Sequence, residues 1–219
     1  AAVAVIAGAA LAPRAVAEPT LPPKTAEQLL VDLKTQHVDD FAGTVETRSD
    51  LGLPPLPNDT QSGLAGLLSG THTVRVWSSG EDKSRASVVD AGAETSVFRN
   101  GQDVWTWSSK ERKATHTTLP AKSGPSPTPS ATPKTPQQTA QEFLAQIEPS
   151  TTVTVANTAT VAGRDAYELV LQPKSDATLV DKVAIAVDAQ NSAPLRVEVW
   201  PNGASQPAVQ VGFTQVDFT

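Results

Sequence analysis

The side chains most able to ligate a metal ion are the three histidines, His37, His72 and His116. They stand far apart, and none belongs to an H-x-x-x-H or H-E-x-x-H spacing that would bring two imidazoles to one ion. The chain has no cysteine, which excludes disulfides, thiolate zinc sites, cysteine nucleophiles and the acylated cysteine of a bacterial lipoprotein. We therefore predict that the protein holds no metal and needs no cofactor.

Catalytic groups are equally sparse. Asp39 and Asp40 could act as a paired acid and base, but two aspartates at a helix-to-strand junction are more often turn residues. No G-x-S-x-G sequence is present, the serines lie in turn-like or linker contexts, and no glycine-rich phosphate loop occurs. The sequence predicts a protein that binds something and is not an enzyme.

The charge pattern indicates whether the protein could bind nucleic acid. The formal net charge is -6 and the pI is about 5.0, and no cluster of lysine and arginine stands out in the sequence. A nucleic-acid binder needs a basic patch to neutralise phosphates. Nucleic acid is therefore excluded as a partner.

Aromatic residues are concentrated in one region of the chain. Asn100-Gly101 favours a two-residue type I′ turn, which would pair Phe98 with Asp103 and Ser96 with Trp105. Because side chains alternate along a strand, Phe98, Trp105 and Trp107 then share one face of the hairpin, and Arg75 and Trp77 share a face of an earlier strand. The tryptophans are expected to point inward, either into a filled core under a helix or into an apolar ligand cavity.

The remaining pattern supplies the elements that position these side chains. Short alternating segments, beginning with FAGTVETR and ending with AVQVGFTQVDFT, predict about nine or ten antiparallel strands. Thr25 with Gln28 resembles a capping box before an amphipathic helix, and Thr135-Pro136 begins a second helix. Leu64, Leu67 and Leu68 suggest a short third one. The predicted fold class is α+β, with the helices on one face of a sheet that curls toward a barrel.

The sequence predicts a leader and a spacer before the domain and one solvated loop within it. Residues 1–17 form an apolar run ending in Ala15-Val16-Ala17, which indicates a cleaved signal peptide with maturation before Glu18 or, alternatively, a retained membrane anchor. Residues 18–24 form a spacer. Residues 120–136 contain six prolines and predict a solvated loop inside a domain spanning 25–219. The sequence stops within a strand-like segment, so we expect the closing part of that domain to be missing.

The order of five segments resembles the LolA/LolB/RseB-like lipoprotein-carrier superfamily, in its actinobacterial LolA-like or MucB/RseB sigma-E regulatory form. They are FAGTVETR, LLSGTHTVRVW, FRNGQDVWTWSS, VAGRDAYELVLQP and VAIAVDAQNSAPLRVEVW. The last two are similar to the family's G-x-x-x-Y-x-L-x-L-x-P and V-D-x-x-x-x-x-P-L-R strands. The resemblance implies an unclosed antiparallel half-barrel wrapped over helices, and the loop at 120–136 departs from the family pattern.

The resemblance also implies two functions. The first is an extracytoplasmic carrier or sensor that binds a lipid or a lipoprotein acyl chain in a concave hydrophobic cavity. The second is a regulatory protein that binds an anti-sigma factor or another membrane partner without lipid. In either case we expect a monomer in the cell envelope or outside the cell. The predicted cavity residues are Trp77, Phe98, Trp105, Trp107, Leu64, Leu67, Phe143 and Tyr167.

Overall fold

The computed structural model describes residues 19–36, 38–50, 70–90, 92–120, 135–145, 150–175 and 177–219 of the 219-residue chain. The predicted leader at 1–17, the short helix predicted around Leu64 and the greater part of the loop predicted at 120–136 lie outside these residues. None of the helices in the described ranges is long and apolar enough to span a membrane.

The described residues form two helices and eleven strands, which confirms the predicted α+β class and adds a strand to the predicted number. The helices are α1 (Ala26–Thr35) and α2 (Pro136–Ala145), and the strands are β1 (Phe41–Ser49), β2 (Gly70–Ser79), β3 (Lys83–Asp90), β4 (Ala93–Asn100), β5 (Asp103–Ser108), β6 (Lys113–Thr118), β7 (Thr151–Val161), β8 (Arg164–Pro173), β9 (Val180–Asp188), β10 (Pro194–Pro201) and β11 (Val209–Phe218).

All eleven strands belong to one open antiparallel sheet in the order β6-β5-β4-β3-β2-β1-β11-β10-β9-β8-β7. Strands β1 to β6 pair in sequence order, strands β7 to β11 do the same, and β1 pairs with β11 at the centre. The sheet does not close, because β6 and β7 are its two edges. This arrangement matches the predicted unclosed half-barrel over helices.

Both helices begin at the predicted residues, and the same motif fixes each start. The N–H of Gln28 donates to Thr25 Oγ1 at 3.2 Å, and the N–H of Thr25 donates back to Gln28 Oε1 at 3.0 Å. Thr135 and Gln138 exchange the equivalent two bonds at 3.0 and 3.3 Å. Each capping box satisfies two N–H groups that the first helical turn leaves without a partner.

The core lies between the sheet and α1, on the side that we call the helix face. Leu29 and Leu33 of α1 pack against a row of buried side chains on neighbouring strands, which includes Leu169, Ile185 and Val197. Ala140 of α2 is buried in the same cluster. Val197 pairs with Val211, which lies two residues from Phe213 on β11. Phe213 pairs with Val45, and Val45 pairs with Val74. The helix face therefore continues across the sheet centre as far as β2.

The opposite side of the sheet, which we call the outer face, carries the tryptophans. Trp77 lies three residues from Val74, so its side chain leaves the sheet on the side away from the helices. Trp77 pairs with Arg85, which pairs with Phe98, which in turn pairs with Trp105. The prediction that the tryptophans point inward, toward the helices, is therefore wrong.

The predicted hairpin forms, but it turns one residue later than expected. Asn100 pairs with Asp103, so the loop consists of Gly101 and Gln102, and of these two only Gly101 has positive φ, at 64°. That pattern is the one a type II′ turn requires. Trp105 consequently pairs with Phe98 instead of Ser96. Phe98, Trp105 and Trp107 still share one face of the hairpin, because a shift of two residues leaves each side chain on the same side of the sheet.

The central pair of strands contains a β-bulge. Thr44 pairs with Gln215 and Val45 pairs with Phe213, so Thr214 is the extra residue, and its hydroxyl donates to the carbonyl of Thr44 at 3.2 Å. A Cβ added to Gly43 would lie 2.7 Å from the backbone oxygen of Gln215. Glycine at this position therefore permits the close approach of β11.

The two late segments that carry the family resemblance have structural roles. Tyr167 is buried on the helix face, and its hydroxyl donates to the carbonyl of Pro22 at 2.7 Å. Asp188 is buried at the end of β9, where it accepts hydrogen bonds from the Arg164 guanidinium and from two backbone N–H groups of the following turn. The hydrogen bond between Tyr167 and Pro22 also holds the described part of the predicted spacer against the sheet.

Candidate functional site

The outer face of β2–β6 presents a row of directly paired side chains that we call the aromatic row. It runs across five strands as Trp77, Arg85, Phe98, Trp105 and His116. Trp77 and Phe98 are each 38% exposed and Trp105 is 48% exposed. Large aromatic side chains that remain this accessible mark surfaces that contact other molecules.

Arg85 and His116 hold the rings of the aromatic row in place. The guanidinium carbon of Arg85 lies 5.0 Å from the Trp77 ring centroid and 4.8 Å from the Phe98 centroid. The His116 ring stacks on Trp105 at 4.4 Å, and its Nε2 lies 2.7 Å from Asp103 Oδ1. These contacts give the row a fixed shape before any partner arrives, which lowers the entropy cost of binding.

A polar cluster built on two buried serines lies beside the row, next to Trp107. Ser96 pairs with Trp107, and its hydroxyl donates to Glu94 Oε1 at 2.6 Å while the Ser87 hydroxyl donates to the same oxygen at 2.8 Å. These two hydrogen bonds, followed by the positive charges of Arg85 and Arg75, outweigh a smaller effect of burial and lower the pKa of Glu94. The carboxylate stays ionised and anchors the strands beneath Trp107, which is 37% exposed.

A shallow groove of about 310 Å³ adjoins the row at Trp77. Its floor is the small-residue segment Ala42–Thr44 of β1. One wall carries Trp77 and Arg75 of β2, and the other carries Gln215 and Asp217 of β11. Ala42 pairs with both Trp77 and Asp217, and Thr44 pairs with both Arg75 and Gln215, so the walls face each other across one strand.

The structure separates the residues predicted to line one cavity. Trp77, Phe98, Trp105 and Trp107 come together on the outer face, whereas Tyr167 lies in the core on the helix face. Leu64 and Leu67 lie outside the described residues, and Phe143 lies in α2 with its side chain outside them. Whether these residues bind a ligand stays a prediction.

Sequence reasoning did not identify the polar members of the outer face. Arg85, His116, Gln215 and Asp217 were not among the predicted site residues, although each occupies the alternate position that period 2 assigns to the face of the tryptophans. Arg75 was correctly placed on the face of Trp77 but was not counted as a site residue. The pairing that brings β11 beside β1 joins the first and last strands of the described chain, and no local signal in the sequence reports it.

The chemistry available on this face is that of binding. In the part of the chain that the structure describes, no three histidine, aspartate or glutamate side chains are grouped so that they could hold a metal ion. The side chains present are aromatic rings, guanidinium groups, hydroxyls and carboxylates. They provide flat apolar contact together with hydrogen-bond donors and acceptors.

No family model and no curated protein matches the chain. Among solved structures, MucB aligns with a TM-score of 0.51 and 16% identity over 88% of this chain and 58% of MucB. A MucA/MucB complex from Pseudomonas aeruginosa aligns with a TM-score of 0.49 and 16% identity over 87% of this chain and 54% of the other. A LolA superfamily protein from Nitrosomonas europaea aligns with a TM-score of 0.33 and 12% identity over 90% of this chain and 94% of the other.

The likeness to MucB confirms the fold that the sequence resemblance implied. This chain spans little more than half the length of the MucB chains that it matches. At 16% identity the likeness establishes the fold alone, and the function has to be argued from the site.

Proposed function

We propose that this chain is an extracytoplasmic, non-catalytic binding protein that captures a protein partner on the outer face of its sheet. The observation that carries the proposal is the aromatic row with Trp107 beside it, a set of large rings that are one third to one half exposed. Tryptophan and arginine are enriched among the residues that carry most of the binding energy of protein interfaces, and here Arg85 lies in contact with both Trp77 and Phe98.

The composition of the row favours a protein over an acyl chain as its occupant. Arg85 and His116 lie among the rings, and the charged Glu94 and Asp103 lie at the margin. An acyl chain cannot satisfy these polar groups, whereas a protein surface supplies both apolar and hydrogen-bonding contacts. The solved complexes of MucB with MucA support the same class of function for this fold.

A second candidate is carriage of a lipid or a lipoprotein acyl chain on the helix face. The observation that favours it is the apolar character of that face on the strands away from α1, where the side chains are Val74, Val76, Ala86, Val88, Val97 and Val104. The described helices pack mainly on β7, β10 and β11. An acyl chain would bind against the valine-rich half.

Site-specific photo-crosslinking in cells that produce the protein tests the proposal. A photo-reactive phenylalanine analogue at position 98 or 105 should form an adduct with one envelope protein. The same analogue at position 31, an exposed residue of α1, is the matched control and should form none. Equal adducts at all three positions, or none at 98 and 105, would refute the proposal.

Native mass spectrometry of protein purified without detergent tests the second candidate. A co-purified lipid that is lost on Val97→Asp but retained on Trp105→Ala would favour carriage on the helix face. A protein that carries no lipid and crosslinks at position 105 would leave the partner-binding function as the sole candidate.

A further inference from the structure

We infer that the groove over β1 is a carbohydrate-binding site that takes one ring of a neutral glycan. The groove shares Trp77 with the aromatic row but is otherwise separate from it, so the inference does not depend on the protein-partner proposal. It rests on the shape of the groove, on the chemistry of its two walls and on the backbone of its floor, which is hydrogen-bonded to a neighbouring strand on each side.

The groove has the width of a single ring. Its walls stand on β2 and β11, which flank β1, so their backbones are two strand spacings apart, or about 10 Å. The small residues of the floor leave this gap open. The volume of about 310 Å³ lies at the lower end of the range for small-molecule sites, about 300–1,000 Å³.

The backbone of the floor excludes an added peptide strand. β1 is hydrogen-bonded to β2 along one side and to β11 along the other. A peptide that binds by strand addition needs a free edge, and this strand has none. An occupant of the groove must therefore be recognised by side chains, through a flat apolar contact and through hydrogen bonds.

Trp77 supplies the flat contact. Arg85 lies against the ring from the β3 side, and the groove borders it from the side of its β1 partner, Ala42. The cation fixes the orientation of the indole and leaves its groove side for a ligand. A pyranose ring has an apolar face of C–H groups that stacks on such a ring, and a rim of hydroxyls that needs polar partners.

The remaining side chains match a rim of hydroxyls. Arg75 donates only, Asp217 accepts only, and the Gln215 amide does both. Within the described residues none of the three makes a side-chain hydrogen bond or ion pair, so all are available to a ligand. One positive and one negative charge flank the groove, so a neutral molecule with both donors and acceptors fits better than a simple anion or cation.

The β-bulge explains how the second wall is aimed. Thr214 is the extra residue of β11, and Gln215 and Asp217 follow it directly. A bulge bends its strand and increases the local twist, and it redirects the side chains beside it. The irregularity at the sheet centre therefore lies next to the groove whose wall it shapes.

Binding of defined saccharides to the full chain tests the inference. The probes are trimers of glucose, mannose and N-acetylglucosamine together with an array of neutral microbial glycans, and choline and citrate serve as charged comparators. We expect at least one neutral glycan to change the tryptophan fluorescence of the protein with a dissociation constant in the millimolar range or below, because the groove is shallow. Neither comparator should bind at the same concentration.

Three variants locate the site. Trp77→Ala and Asp217→Asn should each weaken glycan binding by about tenfold or more, the effect of losing roughly 1.4 kcal/mol of contact. Trp105→Ala is the matched control, because it removes the same side chain from the same face three strands away from the groove wall, and it should leave glycan affinity unchanged. Circular dichroism of each variant verifies that it is folded.

Several results would overturn the inference. One is a complete absence of binding across the glycan array by folded wild-type protein. Another is binding of choline or citrate in preference to every glycan, which would assign the groove to a charged ligand. A third is glycan binding that Trp105→Ala abolishes and Asp217→Asn leaves intact, which would move the ligand to the aromatic row.

Discussion

Asp188 offers the sharpest test of how the sheet is held together, because its carboxylate is 1% exposed and accepts four hydrogen bonds. Two come from the Arg164 guanidinium and two from the backbone N–H groups of Gln190 and Asn191, at 2.8 and 3.0 Å. Asp188→Ala removes all four at once. We expect it to lower the free energy of unfolding by about 3–5 kcal/mol, the cost of breaking a buried ion pair.

Arg164→Met separates the ion pair from the turn. It keeps an unbranched apolar stem near Phe218, over whose ring the guanidinium lies at 4.9 Å, and it leaves the carboxylate with its two backbone donors. The expected loss is therefore smaller, about 1.5–3 kcal/mol, the contribution of hydrogen bonds to a charged group. Both losses are large beside the usual total stability of about 5–15 kcal/mol.

Urea denaturation measures both variants, with the midpoint and the slope fitted separately so that a change in the unfolded state is recognised. Asp165→Ala is the matched control, because Asp165 is exposed and the hydrogen bond to Ala189 uses only its backbone carbonyl. It should change stability by less than about 0.5 kcal/mol. A larger loss for Arg164→Met than for Asp188→Ala would refute the reasoning, because the ion pair and not the turn would then dominate.

Three further outcomes are expected. Tyr167→Phe should lower the free energy of unfolding in urea by about 1 kcal/mol, because it deletes the 2.7 Å hydrogen bond to the carbonyl of Pro22 and little packing. Gly43→Ala should destabilise by about 1–3 kcal/mol in the same assay, since its new Cβ would meet the β11 backbone at 2.7 Å; an unchanged midpoint would contradict this. Ser96→Ala should raise the pKa of Glu94, measured by carboxyl NMR shifts, toward that of an ordinary glutamate. Because the folded-state pKa is lowered, the stability that this carboxylate contributes is present above the ordinary glutamate pKa and is lost as pH falls through the lowered value.

The sequence predicted which aromatic side chains share a face but assigned them to the wrong face. The alternation of side chains along a strand places Phe98, Trp105 and Trp107 on one face, whichever face the helices cover. The three therefore share a face even though the turn lies one residue later than predicted. The side of the helices depends on distant pairing. Arg75 carried a usable signal, because a sheet face that holds an arginine is costly to bury beneath a helix.

The capping boxes were predictable because their signals are local. Thr25 with Gln28 and Thr135 with Gln138 need only four consecutive residues to specify a helix start. The groove was not predictable, because Trp77 and Asp217 become neighbours across Ala42 only when β11 returns to the sheet centre. The two late segments that resemble the family identified the fold and not the site, because their residues Tyr167 and Asp188 are buried and have structural roles.

The pairing of β1 with β11 has a consequence for the order in which the protein folds. β1–β6 can pair one hairpin at a time as they are synthesised, and so can β7–β11. One long side of β1, however, has no partner until β11, the last of these strands, has been synthesised. Such a distant contact is slow to form, and its unpaired edge is open to aggregation in the interval. A nascent chain halted before Val209 should therefore require a holding chaperone that the finished sheet does not.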